Sequence, residues 1–268
     1  MLANARMYSV TPAAKAAWRA IIDWATRFAA VEVEFVEHEP PLLLSDLWAR
    51  PDLGVVQMCG LPASLRAPAP TILAAPVPSL PRYGGRAVYM SDLAVRADST
   101  FRTIEDTFGG VAGYTLKDSQ SGYFAFRYCL LEHHPGASYR KIVGHLMNAR
   151  GVIRALVAGE IDIGPLDGYV FDLIRAGDPQ FAAQVRIVAM TDSTPMPPLV
   201  ATAPIDPPAL ERLRGAFLDA HRARPLDAAR AALLIDHFVV PDLAAYSETR
   251  RRAERVERAE GDGSARWL

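Results

Sequence analysis

The chain has 268 residues, half of them hydrophobic, with 29 basic against 30 acidic side chains. That apolar content is enough to bury a core and excludes global disorder, and a formal net charge of −1 excludes a general electrostatic pull toward nucleic acid or an anionic membrane surface. The length fits one large domain or two lobes, and 21 prolines with 18 glycines spread along it predict many short connections rather than a helical bundle.

The opening segment alternates strand and helix. Met7–Val10 is a short apolar run, and Thr11-Pro12 then supplies a helix N-cap and first-turn proline. Trp18, Ile21, Ile22, Ala25, Phe28 and Ala29 recur at helical spacing. Val31, Val33 and Phe35 alternate with Glu32 and Glu34, the pattern of a strand. A helix is predicted at Leu42–Ala49 and a buried strand at Leu53–Met58, ending in Cys59-Gly60-Leu61-Pro62.

Farther on, the sequence predicts a long strand at Ala87–Val95, a short helix from Ser99 to Phe108 and a strand at Val111–Leu116. A helix then starts within Lys117–Gly122 and runs to about Glu132. Ile142–Val143 is a candidate strand, and Asn148 caps a helix that stops at Gly159. Ile161–Ile163 reads as a strand, Asp167 opens a helix through Ile174, and Val185–Met190 is a strand. Asp206-Pro207 starts a helix with the stripe Leu210, Leu213 and Phe217, and a second helix is predicted from Asp227 to Phe238. The tail from Tyr246 to Glu260 alternates Arg and Glu and reads as a solvated or frayed helix.

This alternation predicts an α/β fold with mainly parallel sheets. Pro-rich crossings near 62–90 and 191–205 predict two lobes with a hinge crossed twice. Residues 1–84 and 201–268 would form lobe 1 with the C-terminal helices, and 85–200 the inserted, anion-gripping lobe.

Two cysteines, Cys59 and Cys129, make no disulfide framework; whether they bridge each other is left open. Neither lies in a CxxC or Cys/His cluster, so no metal is expected. No run approaches the ~18–20 apolar residues of a membrane span. Met1–Val10 lacks the basic segment, apolar run and cleavage site of a secretory signal. The expectation is a cytoplasmic protein as written, and a periplasmic one if the N-terminus was trimmed.

Asp118-Ser119-Gln120-Ser121-Gly122-Tyr123 joins a strand to a helix and is the most informative segment. N–H groups at a helix start, with the positive end of its dipole, make an anion site. Hydroxyls on Ser119 and Ser121 add donors, and Gly122 would let a ligand approach the backbone; an ordinary N-cap is the alternative. Tyr8 and Cys59 lie at strand ends, where α/β sheets bind ligands, or are plain interior residues. Tyr89 lies at the hinge, at the ligand or in strand packing. Asp167 either binds an amine or hydroxyl of the ligand or caps its helix. No Ser/His/Asp order or catalytically spaced carboxylate pair stands out, so no catalytic residue is assigned.

Tyr89-Met90-Ser91-Asp92-Leu93-Ala94-Val95-Arg96-Ala97-Asp98-Ser99, followed by Ser119-Gln120-Ser121-Gly122-Tyr123, resembles the phosphonate- and phosphate-binding components of ABC importers. So do Val157-Ala158-Gly159-Glu160-Ile161-Asp162-Ile163 with Leu166-Asp167, and, for short members of the group, Cys59-Gly60-Leu61-Pro62 and Met7-Tyr8. The likeness covers roughly residues 5–205. Met147, Asn148 and Ala149 stand where the family carries Gly-Ser-His, with His145 close by to take the histidine's part, and Gln120 stands where Thr is common.

The resemblance implies a two-lobed type II periplasmic-binding-protein fold, with ligand held between the lobes and the serine-rich helix start gripping an oxyanion. The expected function is a solute-binding protein closing on phosphonate, phosphate or a similar anion, without cofactor, for an ABC permease. Two alternatives stand beside it: a cytoplasmic lyase or synthase on the same fold, as in menaquinone and thiamine pathways, and a cytosolic ligand sensor. Oligomeric state is left open.

Overall fold

The structure, a computed structural model, describes residues 1–261. The chain separates into two α/β units. Unit 1 comprises Met1–Val88 and Pro195–Tyr246; of the described residues, unit 2 comprises Tyr89–Thr194 and Ser247–Gly261. The chain therefore passes between units three times, where the sequence predicted two crossings. The third follows Tyr246: the C-terminal helix groups with unit 2, whereas the sequence placed all of 201–268 with lobe 1.

Unit 1 holds a six-stranded sheet in the order β13-β4-β12-β3-β1-β2. Its strands are β1 (Leu2–Asn4), β2 (Glu34–Phe35), β3 (Leu53–Gln57), β4 (Thr71–Pro78), β12 (Leu199–Ala201) and β13 (Ile235–Val239). β1 runs parallel to β2 and β3, whereas β12 is antiparallel to both β3 and β4, and β13 antiparallel to β4. The sheet is thus mixed rather than mainly parallel. The chain leaves it after β4 and re-enters as β12, wedged between β3 and β4 and running the other way.

Helix α1 (Pro12–Phe28) starts where Thr11 Oγ1 accepts the Ala14 N–H at 3.1 Å, and Pro12 takes a first-turn position that needs no donor. Its buried stripe of Ala14, Ala17, Trp18, Ile21, Ile22 and Ala25 follows helical periodicity. Trp18, Ile21 and Ile22 are fully buried, each contributing about 1.5–3 kcal/mol, and Trp18 meets Phe238 edge-on at 6.3 Å. Shorter helices α2 (Leu44–Trp48), α3 (Gly60–Leu65) and α9 (Asp227–Ala232), with α8 (Pro207–Asp219), complete the unit. Asp206 caps α8 by accepting the Ala209 N–H at 3.1 Å.

Three elements differ from the sequence reading here. The first strand is Leu2–Asn4, and Arg6–Tyr8 forms a 3-10 turn instead of a strand. The strand predicted over 31–35 is reduced to its last two residues. The helix beginning at Asp227 ends at Ala232, because Leu234 adopts φ 53° and turns the chain into β13.

β5 (Val88–Tyr89) and β11 (Thr194–Pro195) carry the chain out of unit 1 and back. In unit 2, β6 (Ser91–Arg96) lies between β9 (Gly164–Asp167) and β10 (Val185–Met190), antiparallel to both. β7 (Val111–Gly113) pairs in parallel with β8 (Lys141–Val143). The helices are α4 (Ala125–His133), α5 (Ala149–Val157), α6 (Gly168–Gly177), α7 (Pro179–Ala182) and α10 (Ser247–Gly261). Asn148 caps α5 through Gly151 N–H at 3.1 Å, and Gly159 beyond it takes φ 71°, the left-handed stop that glycine tolerates. The helix predicted over 99–108 shrinks to a 3-10 turn at Glu105–Thr107. The Asp106 carboxylate accepts the N–H groups of Arg102 and Thr103 at 2.6 and 2.9 Å, a local cap that replaces a helical ladder.

Candidate functional site

The serine-rich segment of unit 2 starts a helix with an uncommon geometry. Gln120–Phe124 form a π-helical turn that runs into α4; such turns are rare and frequent at functional sites. Ser119 is extended (φ −81°, ψ 123°), and its Oγ accepts the Gly122 N–H at 3.0 Å. The capping reading of Ser119 is therefore realised. The N–H groups of Gln120 and Ser121 belong to the same first turn, where a helix has no earlier carbonyls of its own to bond, and the dipole favours an anion there.

Two strands brace this turn from behind. The β6–β9 register puts Ser91 opposite Asp167. Ser91 Oγ donates to the Ser121 carbonyl at 2.9 Å, and the Ser91 N–H donates to Thr191 Oγ1 at 3.0 Å. Thr115 N–H donates to the Gly122 carbonyl at 3.1 Å. Gly122 is needed for this packing: a Cβ there would fall on Thr115 Oγ1 and lie 2.8 Å from Thr115 Cβ and 2.9 Å from Ser119 Oγ. The space a side chain would occupy is held by Thr115, so the glycine serves close packing of the turn.

Asp167 does two things. Its Oδ1 accepts the Val170 N–H at 3.0 Å, capping α6, and its Oδ2 lies 3.4 Å from Ser121 Oγ, which donates to it. Burial pushes its carboxyl up to about 7, with the buried Asp92 adding to the rise, while the N–H groups of Val170 and Tyr169 and the Ser121 hydroxyl oppose it. Asp167 therefore changes between hydrogen-bond donor and charged acceptor near neutral pH. Gln120 is 2 % exposed, and its Oε1 is buried without a hydrogen-bond partner, an acceptor facing no donor.

Of the nine residues singled out in the sequence, Tyr8 and Cys59 belong to unit 1 and the other seven to unit 2. The structure brings Ser119, Gln120, Ser121, Gly122 and Asp167 together. Tyr89 is buried in β5, two residues before Ser91. His145 is exposed with φ 61°, and its ring lies 5.9 Å from that of Tyr114, which in turn meets Tyr123 of the turn at 5.0 Å. In unit 1, Tyr8 is fully buried in the 3-10 turn after β1. Cys59 is buried at the N-cap of α3 among Trp48, Met58 and Tyr246.

Three polar residues escaped the sequence reading. Ser91 and Asp92 fall inside a predicted strand, and only the register shows what they face. Gln57, at the carboxyl end of β3, is 1 % exposed with neither side-chain amide atom hydrogen-bonded. A single polar residue in the apolar run Leu53–Met58 was the available signal. Among the described residues, no three His, Cys, Asp or Glu side chains gather as a metal site requires.

Two mixed α/β units joined by several chain crossings are the architecture of the two-lobed type II periplasmic-binding-protein fold. A family model described as "ABC transporter, phosphonate, periplasmic substrate-binding protein" matches residues 58–246, and the chain belongs to that family. Among solved structures it is similar to a binding protein component of an ABC phosphonate transporter from Pseudomonas aeruginosa, with TM-score 0.76 at 16% identity over 97% of this chain and 87% of that one. It is also similar to PhnD1 of Prochlorococcus marinus in complex with methylphosphonate, with TM-score 0.79 at 14% identity over 96% and 98% of the two chains. A Xanthomonas citri protein bound to ATP matches with TM-score 0.65 at 19% identity over 97% and 98%. At these identities the structural likeness speaks to fold. No curated protein matches the chain in sequence.

Proposed function

We propose that this chain is the receptor of an ABC-type import system and that it binds a small oxyanion, such as a phosphonate or phosphate, at the Ser119–Gly122 turn of unit 2. The observation that carries the reading is the π-helical turn capped by Ser119 and braced by Ser91, with the Ser121 hydroxyl 3.4 Å from Asp167. Helix-start N–H groups, the Ser119 hydroxyl and the Ser121 hydroxyl, whose single proton turns from Asp167 to the ligand, supply donors for the oxygens, each charge-assisted bond contributing about 1.5–3 kcal/mol. Affinity in the micromolar range requires roughly 8 kcal/mol net, which a few such bonds support after association costs. Tyr89 and His145, both of unit 2, are the further ligand contacts of this reading. The partner is a membrane permease. Members of the family are periplasmic, and among the described residues no helix is long and apolar enough to cross a membrane. Membership in this family supports transport over the lyase, synthase and sensor alternatives.

Calorimetry with methylphosphonate and inorganic phosphate tests the site. Ser121→Ala should weaken binding about tenfold by removing one charge-assisted donor. Ser119→Ala should weaken it less and lower stability by about 1 kcal/mol through the lost cap. The double variant should bind more weakly than either, with residual affinity from the backbone N–H groups. Wild-type affinity in the folded double variant would leave these serines as caps alone.

A further inference from the structure

Helix α10 begins where the match to the family model ends. Its sequence looks like pure charge alternation, yet Thr249, Ala253, Val256 and Ala259 are buried at spacings of four, three and three, which is one face of a helix. That face packs on α4 and on the π-helical turn, so the expectation of a solvated or frayed tail is corrected for this side. The flanks are tied as well. Arg255 pairs with Glu132 at 2.7 Å, and the Arg252 guanidinium lies 5.1 Å over the Tyr128 ring.

The strongest tie reaches the turn itself. The Arg127 side chain, on α4, is 4% exposed and pairs with Glu260 of α10 at 2.7 Å. From its other nitrogen it donates to the Tyr123 hydroxyl at 2.8 Å, and its guanidinium sits 4.8 Å over the Tyr123 ring. Tyr123 is the fourth residue of the π-helical turn. A buried guanidinium is strongly unfavourable without a counter-charge, and α10 is the element that brings one.

We propose that α10 is a clamp on the anion-gripping turn: Glu260 holds Arg127, Arg127 holds Tyr123, and the turn's N–H groups are thereby fixed for the ligand. The proposal rests on the turn being the anion site. Glu260 and Arg127 act as positioning residues, through Tyr123 rather than by touching the ligand. A π-helical turn is uncommon enough to need an outside tie, and fixing it beforehand removes its ordering cost from binding.

The test has two readouts. In the ligand-free protein, amide exchange over residues 119–124 should accelerate about tenfold in Glu260→Gln and in Arg127→Met, while peptides from β9 and α6 stay unchanged. Affinity for methylphosphonate should fall about three- to tenfold in Glu260→Gln, with no further loss when that change is added to Arg127→Met. Arg127→Lys, which keeps the charge but not the two-sided fork, should restore only part. Glu260 is partly exposed in the last turn of α10, so its variant folds. Unchanged exchange of the turn in Glu260→Gln overturns the clamp, as does an equal added loss in the Arg127→Met background. Faster exchange in a protein that binds no methylphosphonate, before or after the change, keeps the clamp and discards the turn as the ligand site.

Discussion

Gly122→Ala is expected to destabilise the protein by about 2 kcal/mol and to take anion binding with it. Intrinsic propensity argues the opposite sign, since alanine gains up to about 1 kcal/mol over glycine inside a helix. Packing decides. The new Cβ would fall on Thr115 Oγ1, which can rotate away, but also 2.8 Å from Thr115 Cβ, which moves only with its backbone. That backbone is held by the Thr115 N–H bond to the Gly122 carbonyl, and Thr115 is buried. Overpacking against an anchored neighbour costs about 3 kcal/mol at the upper end of its usual range, which leaves about 2 after the propensity gain. Gly215 in α8 is the control, because nothing lies within 4 Å of a Cβ built there; Gly215→Ala should stabilise by about 0.5–1 kcal/mol. Urea midpoints of the two variants give both signs. A Gly122→Ala protein as stable as wild type would mean that the turn yields, and the account of its rigidity would fail.

What the sequence made legible was local. Thr11-Pro12, Asn148, Asp167 and Asp206-Pro207 predict helix starts, and each caps through its own side chain in the structure. Ser119 was readable for the same reason, since a cap depends on a hydroxyl and an N–H three residues away. Strand direction was not readable. β12 lies beside β3 but arrives after more than a hundred residues in the other unit, and nothing in Leu199–Ala201 records which way it will run. The sequence predicts helix where β13 lies because Ile235 and Phe238 suit a helical stripe as well as a strand; the break is Leu234, whose positive φ no residue pattern announces. Around the turn, Ser91 and Asp92 matter because the β6–β9 register sets them opposite Asp167 and Leu166. The buried face of α10 was hidden because Arg and Glu outnumber the small residues that do the packing.

Asp167→Asn should stabilise the protein at pH 8 and leave it unchanged at about pH 4. Burial raises the folded-state carboxyl from its ordinary value to about 7. Between about pH 4 and pH 7 the folded protein keeps a proton that the unfolded chain has released, so stability falls as pH rises through that window, and the full penalty stands above it. The residue is only partly buried, and after allowance for solvent the penalty is on the order of 2 kcal/mol. Asparagine keeps the oxygen that accepts the Val170 N–H, so the cap on α6 survives, and it carries no charge. Urea unfolding at pH 5 and pH 8 separates this from a general gain: an equal increase at both would mean that titration of Asp167 is not the cause. The same variant bears on the ligand. At the proposed site the ionised carboxylate would repel an anion held by the Ser121 hydroxyl, whereas the protonated form would donate to it. Methylphosphonate affinity should therefore fall above pH 7 more steeply in the wild type than in Asp167→Asn; the ligand's own titration is common to both proteins and cancels in the comparison. Parallel pH profiles would remove Asp167 from the anion site while leaving its effect on stability in place. A stabilising change that also flattens the binding profile would mark Asp167 as a residue kept for ligand recognition at the expense of the fold.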